Sequence, residues 1–133
     1  MEEYEKQVLE CHRAMEQAIA EPYNIKTLQL RKKLLHEELG ELDAEIDTMI
    51  QELSTNGTTS AASQAKMMKE LADLQYVLSG MVVSFDIPMQ EAFHRVHTSN
   101  MSKLVNGKPL KREDGKFLKG PNYKPPFLDD LAK

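Results

Sequence analysis

The chain has 133 residues, 41% hydrophobic, 29% charged and 6% aromatic, which suits one globular domain and disfavours an aromatic-rich β-sandwich or barrel. Eight Met, no Trp and a single cysteine favour helices packed through Leu, Ile and Met, and exclude an internal disulfide framework and thiolate zinc clusters. The formal charge of −4 is unevenly spread: residues 1–100 carry 9 Lys and Arg against 17 Asp and Glu, a net of −8, and residues 101–133 carry 8 against 4, a net of +4. An acidic body with a basic tail is a poor grip for a nucleic-acid backbone. It suits a site where carboxylates hold cations and Lys or Arg meets a small polyanion. No apolar stretch approaches the ~18 residues of a membrane span, and the opening MEEYEKQ lacks a basic-then-apolar leader. The expectation is a soluble, cytoplasmic helical domain with neither a nucleic-acid nor a membrane partner.

Apolar spacing predicts four helices. The first covers residues 2–20, with Tyr4, Val8, Met15 and Ile19 near one face, and stops before Pro22. The second covers 25–53, with Leu28, Leu35, Leu39, Leu42, Ile46, Met49 and Leu53 in a stripe. The loop Ser54–Ser60 follows, and Ser60 or a neighbouring Thr can cap the third helix, 61–85, which carries Met67, Leu71, Leu74, Leu78, Met81 and Phe85. Asp86-Ile-Pro88 reads as an N-cap and early Pro opening a fourth helix to residue 105, with Met89, Phe93, Val96 and Leu104 on its apolar face. Gly107, Gly115, Gly120 and four prolines forbid a long helix beyond. The expected fold is an all-α, antiparallel four-helix bundle over residues 1–105, with a Gly/Pro-rich basic tail over 106–133 serving as lid or strap.

The chemistry concentrates in Glu37-Glu38-Leu39-Gly40-Glu41 and Glu70-Leu-Ala-Asp73. On a wheel advancing about 100° per residue, Glu37, Glu41, Glu45 and Glu38 fill one quadrant, from zero to about 100°, bordering an apolar stripe centred at about 160°. On the third helix, Glu70 lies among Leu74, Val77, Leu71 and Met81, and Asp73 at their edge. Carboxylates turned toward a bundle interior repel one another and lose hydration, a cost of several kcal/mol per ion unless compensated. Bound divalent cations compensate better than protonation of every acid at neutral pH. Hard oxygen ligands without cysteine suit Mg²⁺ or Mn²⁺.

The pattern Glu-Glu-x-x-Glu, twenty-eight residues, then Glu-x-x-Asp resembles the signature of the all-α nucleoside triphosphate pyrophosphohydrolases. These comprise the MazG-like proteins, the dimeric dUTPases and the phosphoribosyl-ATP pyrophosphohydrolases. The resemblance covers residues 25–105, is strengthened by Gly40 between the acids, and extends to Arg95-Val-His-Thr-Ser-Asn-Met-Ser-Lys103 and Gly120-Pro-Asn-Tyr-Lys-Pro-Pro126. It is closest to the phosphoribosyl-ATP pyrophosphohydrolase-like group of MazG-like proteins, not to the histidine-pathway enzyme itself. The resemblance implies hydrolysis between the α and β phosphates of a nucleotide, giving a monophosphate and pyrophosphate. It further implies that Glu38, Glu41, Glu70 and Asp73 hold Mg²⁺, with Mn²⁺ as a substitute, and that Glu37 or Glu38 orients or deprotonates the attacking water. Asn100 and Lys103 match positions expected to touch substrate. Lys116, Lys119 and Tyr123 join them if the tail closes over a site. The expected substrate is a pyrimidine deoxynucleoside triphosphate such as dUTP, in a housecleaning role. Apolar residues on several helix faces, Leu30 and Leu34 among them, imply a homodimer or homotetramer.

Other signals carry less. Glu91-x-x-His94 is half of a di-iron motif, but no second copy exists, so a carboxylate-bridged di-iron bundle is a minor alternative. His94 and His97 read as packing or surface residues, Arg31, Lys32 and Lys33 as a solvated face, and Cys11 as a plain thiol. A non-catalytic helical interaction module would explain the amphipathic helices but leaves Glu70 without a reason. No Gly-rich phosphate loop of the Walker type occurs.

Overall fold

The computed structural model describes residues 2–133. Four helices, α1 (Glu3–Ala14), α2 (Ile25–Asn56), α3 (Ala61–Phe85) and α4 (Met89–Met101), are followed by two short strands, β1 (Leu110–Lys111) and β2 (Phe117–Leu118), and a 3-10 turn at Asp129–Leu131. The protein is all-α, with the four helices in the predicted order. It divides into two compact units, Met1–Ile87 and Pro88–Lys133. Their boundary precedes α4, whereas the composition changes only after residue 105.

In the first unit, α2 and α3 form a long antiparallel hairpin in a single register. Arg31 lies against Gly80, Glu38 and Glu41 face Glu70 and Asp73, and Glu52 Oε2 accepts the Ser60 N–H at 3.2 Å. Local chemistry sets the ends. Asn24 Oδ1 accepts the Thr27 N–H at 2.9 Å to cap α2, and Gly57, at φ 74°, closes it in the left-handed conformation that glycine adopts without strain. Ser60 Oγ accepts the Ser63 N–H at 3.0 Å to start α3.

Four predicted boundaries are corrected. The second helix runs on to Asn56, not 53, and takes in the start of the expected Ser54–Ser60 loop. The first helix stops at Ala14, not at residue 20, because residues 15–21 leave the helix to close the end of α3. The Ala20 and Glu21 N–H groups donate to the Val83 and Ser84 carbonyls at 2.9 and 2.8 Å, satisfying acceptors that a helix C-terminus leaves open. Asp86 does not cap the fourth helix. It takes φ 50° and terminates α3, and Pro88 occupies the N-cap position of α4. That helix ends at Met101, so Lys103 lies in the turn beyond it.

The buried apolar core of the first unit is small: Val8, Leu42, Val82, Val83 and Phe85. Most of the predicted stripe on α2 is not inside it. Leu28, Leu39, Ile46 and Leu53 are 40–54% exposed, because the face that α2 turns to α3 is the one carrying Arg31, Glu38 and Leu42. Leu71 and Leu78 on α3 are similarly open.

In the second unit, α4 carries a C-terminal strap. Ser99 Oγ donates to the Lys124 carbonyl at 2.7 Å and Ser102 Oγ accepts the Lys124 N–H at 3.0 Å. Arg95 donates to Asp130 at 2.6 Å, to the Phe127 carbonyl at 3.1 Å and to Glu91 at 2.9 Å. The strands pair antiparallel as Leu110 with Leu118 and Lys111 with Phe117, around a turn where Asp114 accepts from Arg112 and from the Lys116 N–H. The Gly and Pro content that forbids a helix here thus makes a hairpin that the apolar spacing did not predict.

Candidate active site

Glu38 and Glu41 lie on one side of the α2–α3 hairpin, Glu70 and Asp73 on the other. Each offers one carboxylate oxygen to a group whose members all lie within 4.8 Å of one another. The wheel places Glu38 and Glu41 at the border of a core face. In the structure they stand on the seam itself, one turn apart, opposite a matching pair also one turn apart.

The negative charge of this group is only partly balanced among the described residues. Glu38 Oε2 and Glu70 Oε2 are buried and accept no hydrogen bond. The Glu70 side chain is only 16% exposed. Its carboxyl is pushed above the ordinary range, chiefly by burial and next by the facing Glu41 carboxyl, with Asp73 adding and Lys69 opposing. The compensating cation among the described residues is Lys69. Its Nζ lies 2.7 Å from Asp73 Oδ2 and 3.6 Å from Glu70 Oε1. Buried, unsatisfied carboxylate oxygens converging from two rigid helices are what a hard divalent ion requires, so the donor set fits Mg²⁺ or Mn²⁺. Glu37 stands outside the group, solvent-facing and 3.9 Å from Lys33.

Of the tail candidates, Asn100, Lys103 and Tyr123 are linked through backbone hydrogen bonds around Gly120, and Lys119 lies beside Tyr123. The Lys103 N–H donates to the Asn100 carbonyl at 3.2 Å, the Gly120 N–H to the Lys103 carbonyl at 3.1 Å, and the Tyr123 N–H to the Gly120 carbonyl at 3.1 Å. Lys119 Nζ lies 4.7 Å from the centre of the Tyr123 ring. Lys116 stands at the hairpin turn, where its N–H donates to Asp114. Glu91 pairs with Arg95, and neither it nor His94 belongs to a metal-competent group among the described residues.

Arg31 corrects the expectation of a solvated basic face. It is 3% exposed, its Nε has no partner, and its guanidinium makes a 3.4 Å hydrogen bond to Gln17. Beside it, His12 is 1% exposed and donates through Nδ1 to the Ala18 carbonyl at 2.7 Å. Its pKa is lowered by burial first and by the Arg31 charge, against that hydrogen bond. Sequence reasoning misread Arg31 as solvated and missed His12 and Lys69. The only available signal for Lys69 was its spacing of four from Asp73.

A family model described as phosphoribosyl-ATP pyrophosphohydrolase matches residues 8–100, which include α2, α3 and all four clustered acids. No curated protein matches the chain. No helix is long and apolar enough to cross a membrane among the described residues.

Proposed function

Because the chain belongs to the phosphoribosyl-ATP pyrophosphohydrolase family, we propose that it cleaves the α–β phosphoanhydride of a (deoxy)nucleoside triphosphate, giving monophosphate and pyrophosphate. Family membership makes it a hydrolase of nucleotide pyrophosphate bonds. The triphosphate, the metal and the residue roles are the proposal. The observation that carries it is the convergence of Glu38, Glu41, Glu70 and Asp73, with two of their oxygens buried and unpaired.

These four carboxylates would hold Mg²⁺, or Mn²⁺ in its place. When bound, the cation supplies charge neutralisation for the triphosphate and acidifies a water. Glu38 is fixed on the seam by α2. Glu37 lies one turn before Glu41 on the same helix, with no place among the four. Either carboxylate is proposed to orient the water and take its proton, Glu38 from the seam and Glu37 from the solvent side where it pairs with Lys33. Phosphoryl transfer asks mainly for positioning and charge, which a rigid helical hairpin provides.

Asn100, Lys103, Lys119 and Tyr123 are proposed to contact substrate. An amide reads a base edge, a lysine meets phosphate, and an aromatic ring offers a stacking face. Lys116 is proposed with them as a further phosphate contact from the hairpin turn. The preferred nucleotide is proposed to be dUTP or another non-standard pyrimidine, cleared from the nucleotide pool of the cytoplasm. The open apolar stripe Leu28, Leu39, Ile46 and Leu53 is proposed to be covered by further copies of the chain, as a homodimer or homotetramer. A Mg²⁺-supported screen of nucleoside di- and triphosphates, reading pyrophosphate and phosphate separately, tests this. Pyrophosphate release from a triphosphate is expected. Release of phosphate alone would refute α–β cleavage.

A further inference from the structure

The acids of the seam carry more negative charge than their surroundings balance, and Lys69 is the cation the fold places on them. It belongs to the same helix as Glu70 and Asp73. Its contact to Asp73 is short, 2.7 Å, and its contact to Glu70 is longer, 3.6 Å. Among the described residues these two acids are its ion-pair partners, and its side chain is 66% exposed. An ammonium on an exposed stem is a weak, exchangeable counter-ion. Asp73 therefore offers one carboxylate to two cations, Lys69 and a divalent ion at the cluster, and like charges so close oppose each other.

We propose that Lys69 is a resident counter-cation of the acidic cluster, which a divalent ion must displace from Asp73, so that Lys69 sets the metal affinity of the site. The inference rests on the metal reading proposed above. It makes Lys69 a positioning residue and not a ligand. In the metal-free protein the ammonium holds Asp73 in place. On metal binding it swings into solvent, which its exposure permits.

The test is a Mn²⁺ titration of the full chain without nucleotide, with free Mn²⁺ read by electron paramagnetic resonance. Wild type, Lys69→Met, Lys69→Arg and Glu70→Gln are compared, with helicity checked by circular dichroism. Lys69→Met removes the competitor and is expected to bind Mn²⁺ about two- to fivefold more tightly, the factor that an exposed ion pair is worth. Lys69→Arg keeps the charge and is expected to stay near wild type. A merely structural ion pair predicts the opposite sign for Lys69→Met, because the cluster would loosen. Unchanged or weaker Mn²⁺ binding by Lys69→Met, with Glu70→Gln clearly impaired, overturns the role of Lys69 and leaves the metal site standing. Equal binding by wild type and Glu70→Gln overturns both.

Discussion

Gly120 fixes the tail against the end of α4, and Gly120→Ala should release it. The residue is buried, and its backbone is in no conformation that glycine alone adopts, so any cost is steric. A Cβ there would stand 2.7 Å from Val105 Cγ2, 2.8 Å from the Lys103 carbonyl oxygen and 3.4 Å from that of Leu104. Two of these three obstacles are backbone atoms of the turn that the Gly120 N–H itself bonds. Relief therefore means moving the strap away and losing that bond. Overpacking of this kind costs about 1–3 kcal/mol and the lost hydrogen bond about 1 kcal/mol, offset by about 0.4–1 kcal/mol from a stiffer unfolded chain. The net is about 1–3 kcal/mol, or roughly a 5- to 150-fold rise in the open population of residues 103–124 if the loss falls on the strap alone. Hydrogen exchange at the Gly120 and Tyr123 amides reads it directly, with helicity of the chain unchanged. Because Lys119 and Tyr123 ride on this segment, KM for the triphosphate should rise more than kcat falls. Wild-type protection of both amides in the variant would refute the packing argument. Full exposure with an unchanged KM would remove Lys119 and Tyr123 from substrate binding.

Glu70→Gln should stabilise the metal-free protein at pH 8 relative to wild type. The folded state raises the Glu70 pKa, so the ionised carboxylate opposes folding above the ordinary carboxyl range, and the gap should close as pH falls through the raised value; a gap independent of pH in thermal melts would contradict this. His12 has a lowered pKa, so stability is lost as pH falls below its ordinary 6.5, where the unfolded chain takes the proton and the fold resists it. His12→Asn, which can still donate to Ala18, should flatten the difference in melting temperature between pH 7.5 and 5.5. An unchanged difference would place the acid sensitivity elsewhere. A Cβ added at Gly40 would meet nothing within 4 Å, so Gly40→Ala should raise helix stability by about 0.5–1 kcal/mol in chemical denaturation. A loss instead would mean that another copy of the chain packs against that face.

The candidate site is legible in the sequence because Glu70 breaks a local rule. An acid at an apolar position of a helix needs compensation, and the spacing on α2 supplies acids to share it. The cap at Ser60 is equally local, and so are the bounds of α3; the end of α2 is not, since the helix runs three residues into the expected loop before Gly57 closes it. What escapes depends on contacts between distant residues. Nothing near residue 15 signals that the chain will leave α1 to close carbonyls at Val83 and Ser84. Arg31 looks solvated in the sequence because its neighbours Lys32 and Lys33 are, and only Gly80, forty-nine positions on, makes room for its guanidinium. The α2 stripe reads as core because amphipathicity shows that a face is apolar, not what covers it. Asp86 and Pro88 both have helix-starting chemistry, but the left-handed turn at Asp86 belongs to the helix before.

The central claim, that the four seam carboxylates carry metal-dependent hydrolysis, is tested most directly by pyrophosphate release under saturating Mg²⁺. Wild type would be compared with Glu38→Gln and Glu70→Gln on the best triphosphate from the substrate screen. Each substitution keeps size and helix propensity while removing one anionic oxygen pair, so both variants should keep native helicity and lose turnover by at least about 100-fold, the scale on which loss of one transition-state charge contact is felt. Near-normal turnover by either folded variant would contradict the assignment.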